Sequence, residues 1–174
     1  RVALEGIASC GACRFCAAGD YHYCRQIRYV GLSIPGGFAE YLTIPARHCF
    51  VVPDGIDGAT AALSEPLAVG VHGVRIAGLS IGQRVLVLGA GTIGLAAVVA
   101  ARAGGAGEIV VTARRPHQKA AALALGADAV LDAGDEAALM AAAKHDPIDL
   151  VIESVGGTAD TLDDAVYACR FGGT

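Results

Sequence analysis

The stretch Arg84-Val85-Leu86-Val87-Leu88-Gly89-Ala90-Gly91-Thr92-Ile93-Gly94 constrains this chain more than any other. Val85 to Leu88 is short, apolar at every position and partly β-branched, as a central parallel strand covered on both faces must be. It runs into Gly89, Gly91 and Gly94, a G-x-G-x-x-G spacing. In such a turn the first glycine makes the sharp bend and the second lets a pyrophosphate approach the backbone. The third lets the following helix pack close to the strand. The helix start at Thr92 and Ile93 then offers unpaired N–H groups and a positive dipole end to the phosphates.

In a chain with 24 glycines the bare spacing carries little. Its context carries more. Thr92 to Arg102 is an alanine-rich helical run closed by Gly104-Gly105, and Glu108 to Thr112 reads as the next strand. The second half continues to alternate: helix 117–125, strand 129–131, helix 136–144, strand 150–153 and helix 159–169. That order predicts an α/β layer with parallel strands joined by right-handed crossovers. Four strands are expected, where a full dinucleotide fold has about six. The chain is 54% hydrophobic with a mean hydropathy of +0.52, which suits a sheet buried between helices. No uninterrupted apolar run reaches the roughly 18 residues of a membrane span. A net charge of −4 and a pI near 5.7 argue against nucleic acid or an anionic membrane as partner.

The position after the second strand selects the coenzyme. An NAD-binding turn places Asp or Glu there, about 20 residues past the glycines, to accept from the ribose hydroxyls. Counting back from Gly126-Ala127-Asp128 puts Ala113 in that slot, followed by Arg114 and Arg115. Ala113 removes a carboxylate that would repel a 2′-phosphate, and the arginines supply donors for it. NADP(H) is therefore expected over NAD(H), with Arg114 the main phosphate contact.

The first third carries a different signal. Cys10, Cys13, Cys16 and Cys24 follow C-x2-C-x2-C-x7-C, four thiolates close enough to surround one tetrahedral Zn²⁺ with no open position. Three cysteines at this spacing also resemble an iron–sulfur run, the alternative reading. Disulfides fit poorly, because the first three thiols are packed too close for an ordinary framework. His22 reads as a surface residue of the loop. Cys49 reads as a small buried hydrophobe in a strand, and 37–44 alternates as a strand with Phe38, Tyr41 and Ile44 as packing positions. Ser64-Glu65-Pro66 reads as a helix start, with Ser64 or Glu65 as cap and Leu67, Val71 and Val74 at helical spacing.

The cysteine spacing, then Gly36-Gly37-Phe38-Ala39-Glu40-Tyr41, Pro53-Asp54-Gly55 and Glu65-Pro66-Leu67, resembles the zinc-containing medium-chain dehydrogenase/reductase family. Within it the polyol, threonine and butanediol dehydrogenase branch is most similar, along nearly all 174 residues. The resemblance implies part of a GroES-like β-rich catalytic domain over 1–75, with the zinc lobe at about 10–24 and a hinge helix. It implies a partial Rossmann NADP-binding domain over 76–174. It places Glu65 beside a catalytic zinc and Ser154, Val155 and Gly156 near the nicotinamide and its ribose.

The family's other catalytic ligands, a cysteine and a glycine-histidine-glutamate motif, are not in this sequence. The chain opens directly as a strand and stops at Phe171-Gly172-Gly173-Thr174, where another strand is due, so it is expected to be an internal portion of a longer chain, inactive alone. The implied activity is zinc-dependent hydride transfer between NADP(H) and an alcohol or polyol, or its ketone or aldehyde. The implied protein is a cytoplasmic homo-oligomer. The rivals are a zinc-independent quinone-reductase-like enzyme of the same superfamily and a non-catalytic nucleotide- and zinc-binding fragment.

Overall fold

The computed structural model describes residues 1–157 and 159–174 and divides into two compact units, Arg1–Glu65 and Pro66–Thr174. The hinge helix, assigned above to the first domain, lies almost wholly in the second of these units.

The first unit holds little regular structure. Strand β1 (Val2–Leu4) pairs antiparallel with β4 (Cys49–Val51), and β2 (Ile7–Ala8) with β3 (Arg28–Tyr29). The strand-like run Val2 to Ala8 is thus interrupted at Glu5-Gly6. Glu5 is used there: its carboxylate lies 2.8 Å from Nδ1 of His48, which is only 2% exposed. A hydrogen bond to the same carboxylate, then burial, pushes the Tyr21 phenol above its ordinary pKa. Two short helices follow, α1 (Arg14–Ala17) in the cysteine loop and α2 (Gly58–Ala62), which Asp57 caps by accepting from the Thr60 N–H at 2.7 Å.

The strand expected over 37–44 is absent. Alternation produces a strand only where a neighbouring edge completes the ladder, and among the described residues none pairs with this segment. Phe38 and Tyr41, expected to pack, are fully exposed. Cys49 is half-buried rather than enclosed.

The second unit follows the alternation closely. Helix α3 (Ser64–Ala77) leads into β5 (Arg84–Leu88), α4 (Thr92–Ala103), β6 (Glu108–Ala113), α5 (Pro116–Ala124), β7 (Ala129–Asp132), α6 (Glu136–His145), β8 (Leu150–Glu153) and α7 (Thr161–Ala168). The four strands form one parallel sheet in the order β7-β6-β5-β8. Its two faces split the strand residues by parity. Val85, Val87, Ile109 and Val111 pack with Val74 of α3, Ala97, Val98 and Ala101 of α4 and Ala122 of α5. Leu86, Leu88 and Val110 pack on the other side with Leu139 of α6 and Ala168 of α7. Each large side chain buried this way contributes about 1.5–3 kcal/mol.

Two local readings change. Ser64 does not cap α3: it is the helix's first residue, and its hydroxyl donates back to the Ala61 carbonyl at 2.7 Å. Val71 is exposed, and the buried face of α3 carries Gly70 and Val74. Gly70 is selected because a Cβ there would meet Ala96 C and O of α4 at 2.6 Å. A helix contact that close needs a residue without a side chain, a constraint the hydrophobic period does not reveal.

Candidate functional site: a dinucleotide crevice and a thiolate quartet

A crevice of about 510 Å³ opens at the carboxyl ends of the parallel strands, where ligands bind in sheets of this type. Its lining includes Gly89, Ala90, Gly91, Ala113, Arg114, Ser154 and Val155. Thr92, Ile93, Gly94, Arg115 and Gly156, also expected in the site, are not among the lining residues. Thr92 begins α4, with Gly91 at its N-cap in extended backbone, so the first helical N–H groups have no intrahelical partner.

Gly89 and Gly94 have the geometry that the spacing implies. Gly89 sits at φ +96°, and a Cβ there would meet Val155 Cγ2 at 2.9 Å. Gly94 is buried, and a Cβ there would fall 1.9 Å from the Gly89 oxygen. A Cβ on Gly91 would meet nothing within 4 Å, so an approaching ligand is what would make a side chain costly there.

Ala113, the last residue of β6, is 1% exposed, and Arg114 just beyond it is exposed on the crevice rim. Arg115 is the N-cap residue of α5, its backbone N–H donating to Gln118 Oε1 at 3.1 Å, and its side chain is exposed. Four acidic residues share the lining: Asp132 pairs with Lys119, Asp135 accepts from the Ala138 N–H at 2.9 Å, and Glu136 and Asp164 complete the set. Among the described lining residues Arg114 is the sole cation.

Glu153 ends β8 and organises the exit loop. Burial pushes its carboxyl up, but the N–H of Val155, the Thr161 hydroxyl and the N–H of Gly156 together hold it below the ordinary value. Thr112 also belongs to the site, although no sequence motif singles it out. Its Oγ1 accepts from the Gly89 N–H at 3.0 Å. The available signal is a threonine closing an apolar strand immediately before the coenzyme-selecting position.

In the first unit the sulfur atoms of Cys10, Cys13, Cys16 and Cys24 all lie within 4.8 Å of one another. Cys10 to Cys16 is 3.8 Å and Cys13 to Cys16 is 3.5 Å. A tetrahedral ion with Zn–S bonds of about 2.3 Å requires sulfurs about 3.8 Å apart, so the quartet fits Zn²⁺. The backbone N–H groups of Ala12 and Cys13 donate to Cys10 Sγ at 3.5 and 3.4 Å. They lower the Cys10 pKa to about 6, mainly through Ala12 and then Cys13. Cys13 is lowered chiefly by the Cys16 N–H, whereas burial and the Cys13 thiol raise Cys16. Glu65 stands exposed at the start of α3 and joins no group of three metal-ligating side chains among the described residues.

Two family models match separate parts of the chain: an alcohol dehydrogenase GroES-like domain over residues 1–54 and a zinc-binding dehydrogenase over 92–174. The L-threonine 3-dehydrogenase of Alteromonas mediterranea is 41% identical over 136 residues, covering 78% of this chain and 40% of that protein. The L-idonate 5-dehydrogenase of Vitis vinifera is 36% identical over 182 residues, covering 99% of this chain and 49% of the relative. The chain therefore spans about half the length of these relatives or less. A structure from Sinorhizobium meliloti 1021, assigned as a zinc-binding dehydrogenase and bound to NADP, superposes with a TM-score of 0.86 at 34% identity. It covers 99% of this chain and 52% of that one.

Proposed function

We propose, from the premise that this chain belongs to the zinc-containing medium-chain alcohol dehydrogenase family, that it serves an oxidoreductase which binds NADP(H) in its parallel-sheet unit. Hydride would pass between the nicotinamide and an alcohol or polyol, or the corresponding ketone or aldehyde. The observation that carries the reading is the crevice itself. It joins a glycine turn and an open helix N-terminus to a second strand that ends in buried Ala113 rather than a carboxylate, with Arg114 on the rim. The α4 N–H groups hold the pyrophosphate, and Arg114 pairs with the 2′-phosphate. Val155, beside Gly89, lines the side of the crevice next to β8. Bound NADP(H) supplies the hydride acceptor or donor.

The cysteine quartet holds a structural Zn²⁺, with all four positions filled by protein and none left for substrate. Such a thiolate set requires reduced cysteines, which supports a cytoplasmic setting. A catalytic zinc needs about three protein ligands. Among the described residues Glu65 joins no group of three metal-ligating side chains, so they do not make that site. Glu65 is proposed as one of its ligands only in the whole protein. The threonine and idonate relatives support a small hydroxylated substrate. The exposed Leu162, Val166 and Tyr167 of α7 support a homo-oligomer, in which such side chains would be covered.

Titration calorimetry with NADPH and NADH tests the coenzyme reading. Arg114→Ala is expected to weaken NADPH binding about tenfold or more and leave NADH within roughly twofold. Equal losses for the two coenzymes would contradict the phosphate assignment.

A further inference from the structure

The peptide that links Leu88 to Gly89 is held at both ends by hydroxyl side chains, one in β6 and one just beyond β8. Strand β5 leaves the sheet here, because Gly89 turns to φ +96°. Its N–H therefore loses the regular ladder and would be left without a partner beside the core. Thr112 stands opposite Leu88 in the β5–β6 register, is 7% exposed, and accepts that N–H on Oγ1 at 3.0 Å. On the other side, Ser154 follows Glu153, the partner of Leu88 in the β5–β8 register. The Leu88 carbonyl accepts from the Ser154 N–H at 3.0 Å and from its hydroxyl at 2.8 Å. The same hydroxyl lies 3.2 Å from the Gly89 carbonyl.

A peptide plane with its N–H and C=O both fixed cannot rotate, and the next elements depend on its angle. A Cβ on Gly94 would fall 1.9 Å from the Gly89 oxygen and 2.7 Å from Ser154 Oγ. The first turn of α4 thus rests on the Gly89 carbonyl, which opens the next peptide and also accepts from the Ser154 hydroxyl, so the clamp's orientation is passed through Gly89 and Ser154 to the helix N-terminus that faces the crevice.

We infer that Thr112 and Ser154 are positioning residues for the coenzyme: their hydroxyls lock the Leu88–Gly89 peptide and so aim the α4 N–H groups at the pyrophosphate. This rests on the NADP(H) reading above. Ser154 accordingly acts through the turn, with its hydroxyl committed to backbone carbonyls.

The test uses the 174-residue chain with NADPH as probe, well below the unfolding temperature of each variant. Thr112→Val keeps the shape and removes the acceptor, so NADPH affinity is expected to fall about tenfold. Thr112→Ser restores the oxygen and should recover most of it. Ser154→Ala should weaken binding roughly threefold. The Gly89 amide, followed by NMR, should exchange with solvent faster in Thr112→Val than in the parent. Parent-like affinity in both Thr112→Val and Ser154→Ala, whatever their thermal stability, would overturn the inference and leave the dinucleotide reading standing. If Thr112→Val does not fold, parent-like affinity in Ser154→Ala alone overturns it. A parent chain that binds neither NADPH nor NADH would overturn the dinucleotide reading and the clamp's part in binding together.

Discussion

Gly91→Ala separates what the fold requires of the glycine turn from what the ligand requires. Gly91 has φ −81° and ψ −175°, a conformation open to any residue, and an added Cβ there meets nothing within 4 Å. Two small effects on stability oppose each other. Alanine restricts the unfolded chain, which favours folding by about 0.4–1 kcal/mol. Alanine is also a poorer N-cap than glycine, at a cost of about 0.5–1 kcal/mol. The net change should lie within about 0.5 kcal/mol. Gly94→Ala is the contrast. Its Cβ would stand 1.9 Å from the Gly89 oxygen and 2.9 Å from the Gly89 carbonyl carbon, both backbone atoms that cannot step aside. Overpacking of about 1–3 kcal/mol should outweigh the roughly 1 kcal/mol of helix propensity that alanine adds. Binding reverses the comparison for Gly91. A methyl group on the face open to the crevice pushes the pyrophosphate off the helix N–H groups, and NADPH affinity should fall about 10- to 100-fold, or about 1.4–2.8 kcal/mol. Urea unfolding read by circular dichroism gives the stability, and titration calorimetry with NADPH gives the affinity. A Gly91→Ala chain of normal stability that binds NADPH as well as the parent would refute the placement of the pyrophosphate. So would one destabilised as much as Gly94→Ala.

Three further outcomes follow from the packing and the charges. Gly70→Ala should destabilise the second unit by about 1–3 kcal/mol in urea, because its Cβ would press on Ala96 of α4 at 2.6 Å. Asp149 is held below the ordinary carboxylate range first by the Arg84 N–H, at 2.8 Å, and then by Arg170. Its folded-state value lies under the unfolded one, so its contribution is present above the ordinary carboxylate range and is lost as pH falls through the lowered value. Asp149→Asn should therefore lower stability by about 1–2 kcal/mol at pH 7, and the difference from the parent should narrow in acid. Cys16→Ala removes one corner of the sulfur tetrahedron, 3.5 Å from Cys13 and 3.8 Å from Cys10. Atomic absorption should then find the bound zinc lost, and retention of a full equivalent would exclude the quartet as the site.

The parallel-sheet unit was legible because its signals are local. Unbroken apolar runs at Val85 to Leu88 and Ile109 to Val111 mark strands buried on both faces, and each strand lies within a residue or two of where the pattern puts it. The cysteine quartet was legible for the same reason, its spacing alone bringing the sulfurs together. What the sequence hid depends on partners far along the chain. Residues 37–44 alternate like a strand but find no ladder neighbour among the described residues. Val71 has the helical spacing of a core position, yet the close approach of α4 hands the buried face to Gly70. Thr112 and Ser154 meet the same peptide from 42 positions apart, and no local pattern announces that. Glu5 and His48 likewise pair across 43 positions. Of the arginine pair after β6, only Arg114 lines the crevice, a difference that the sequence does not show.

The central claim is that one chain carries both a filled zinc site and a working NADP(H) crevice, and a native mass spectrum of the 174-residue chain titrated with NADPH tests both at once. The account predicts a chain carrying one zinc ion that takes up one NADPH, and takes it up in preference to NADH when the two compete. A folded chain without zinc would contradict the role given to the cysteine quartet. A chain that shows no dinucleotide adduct, or favours NADH, would contradict the role given to the glycine turn and Arg114.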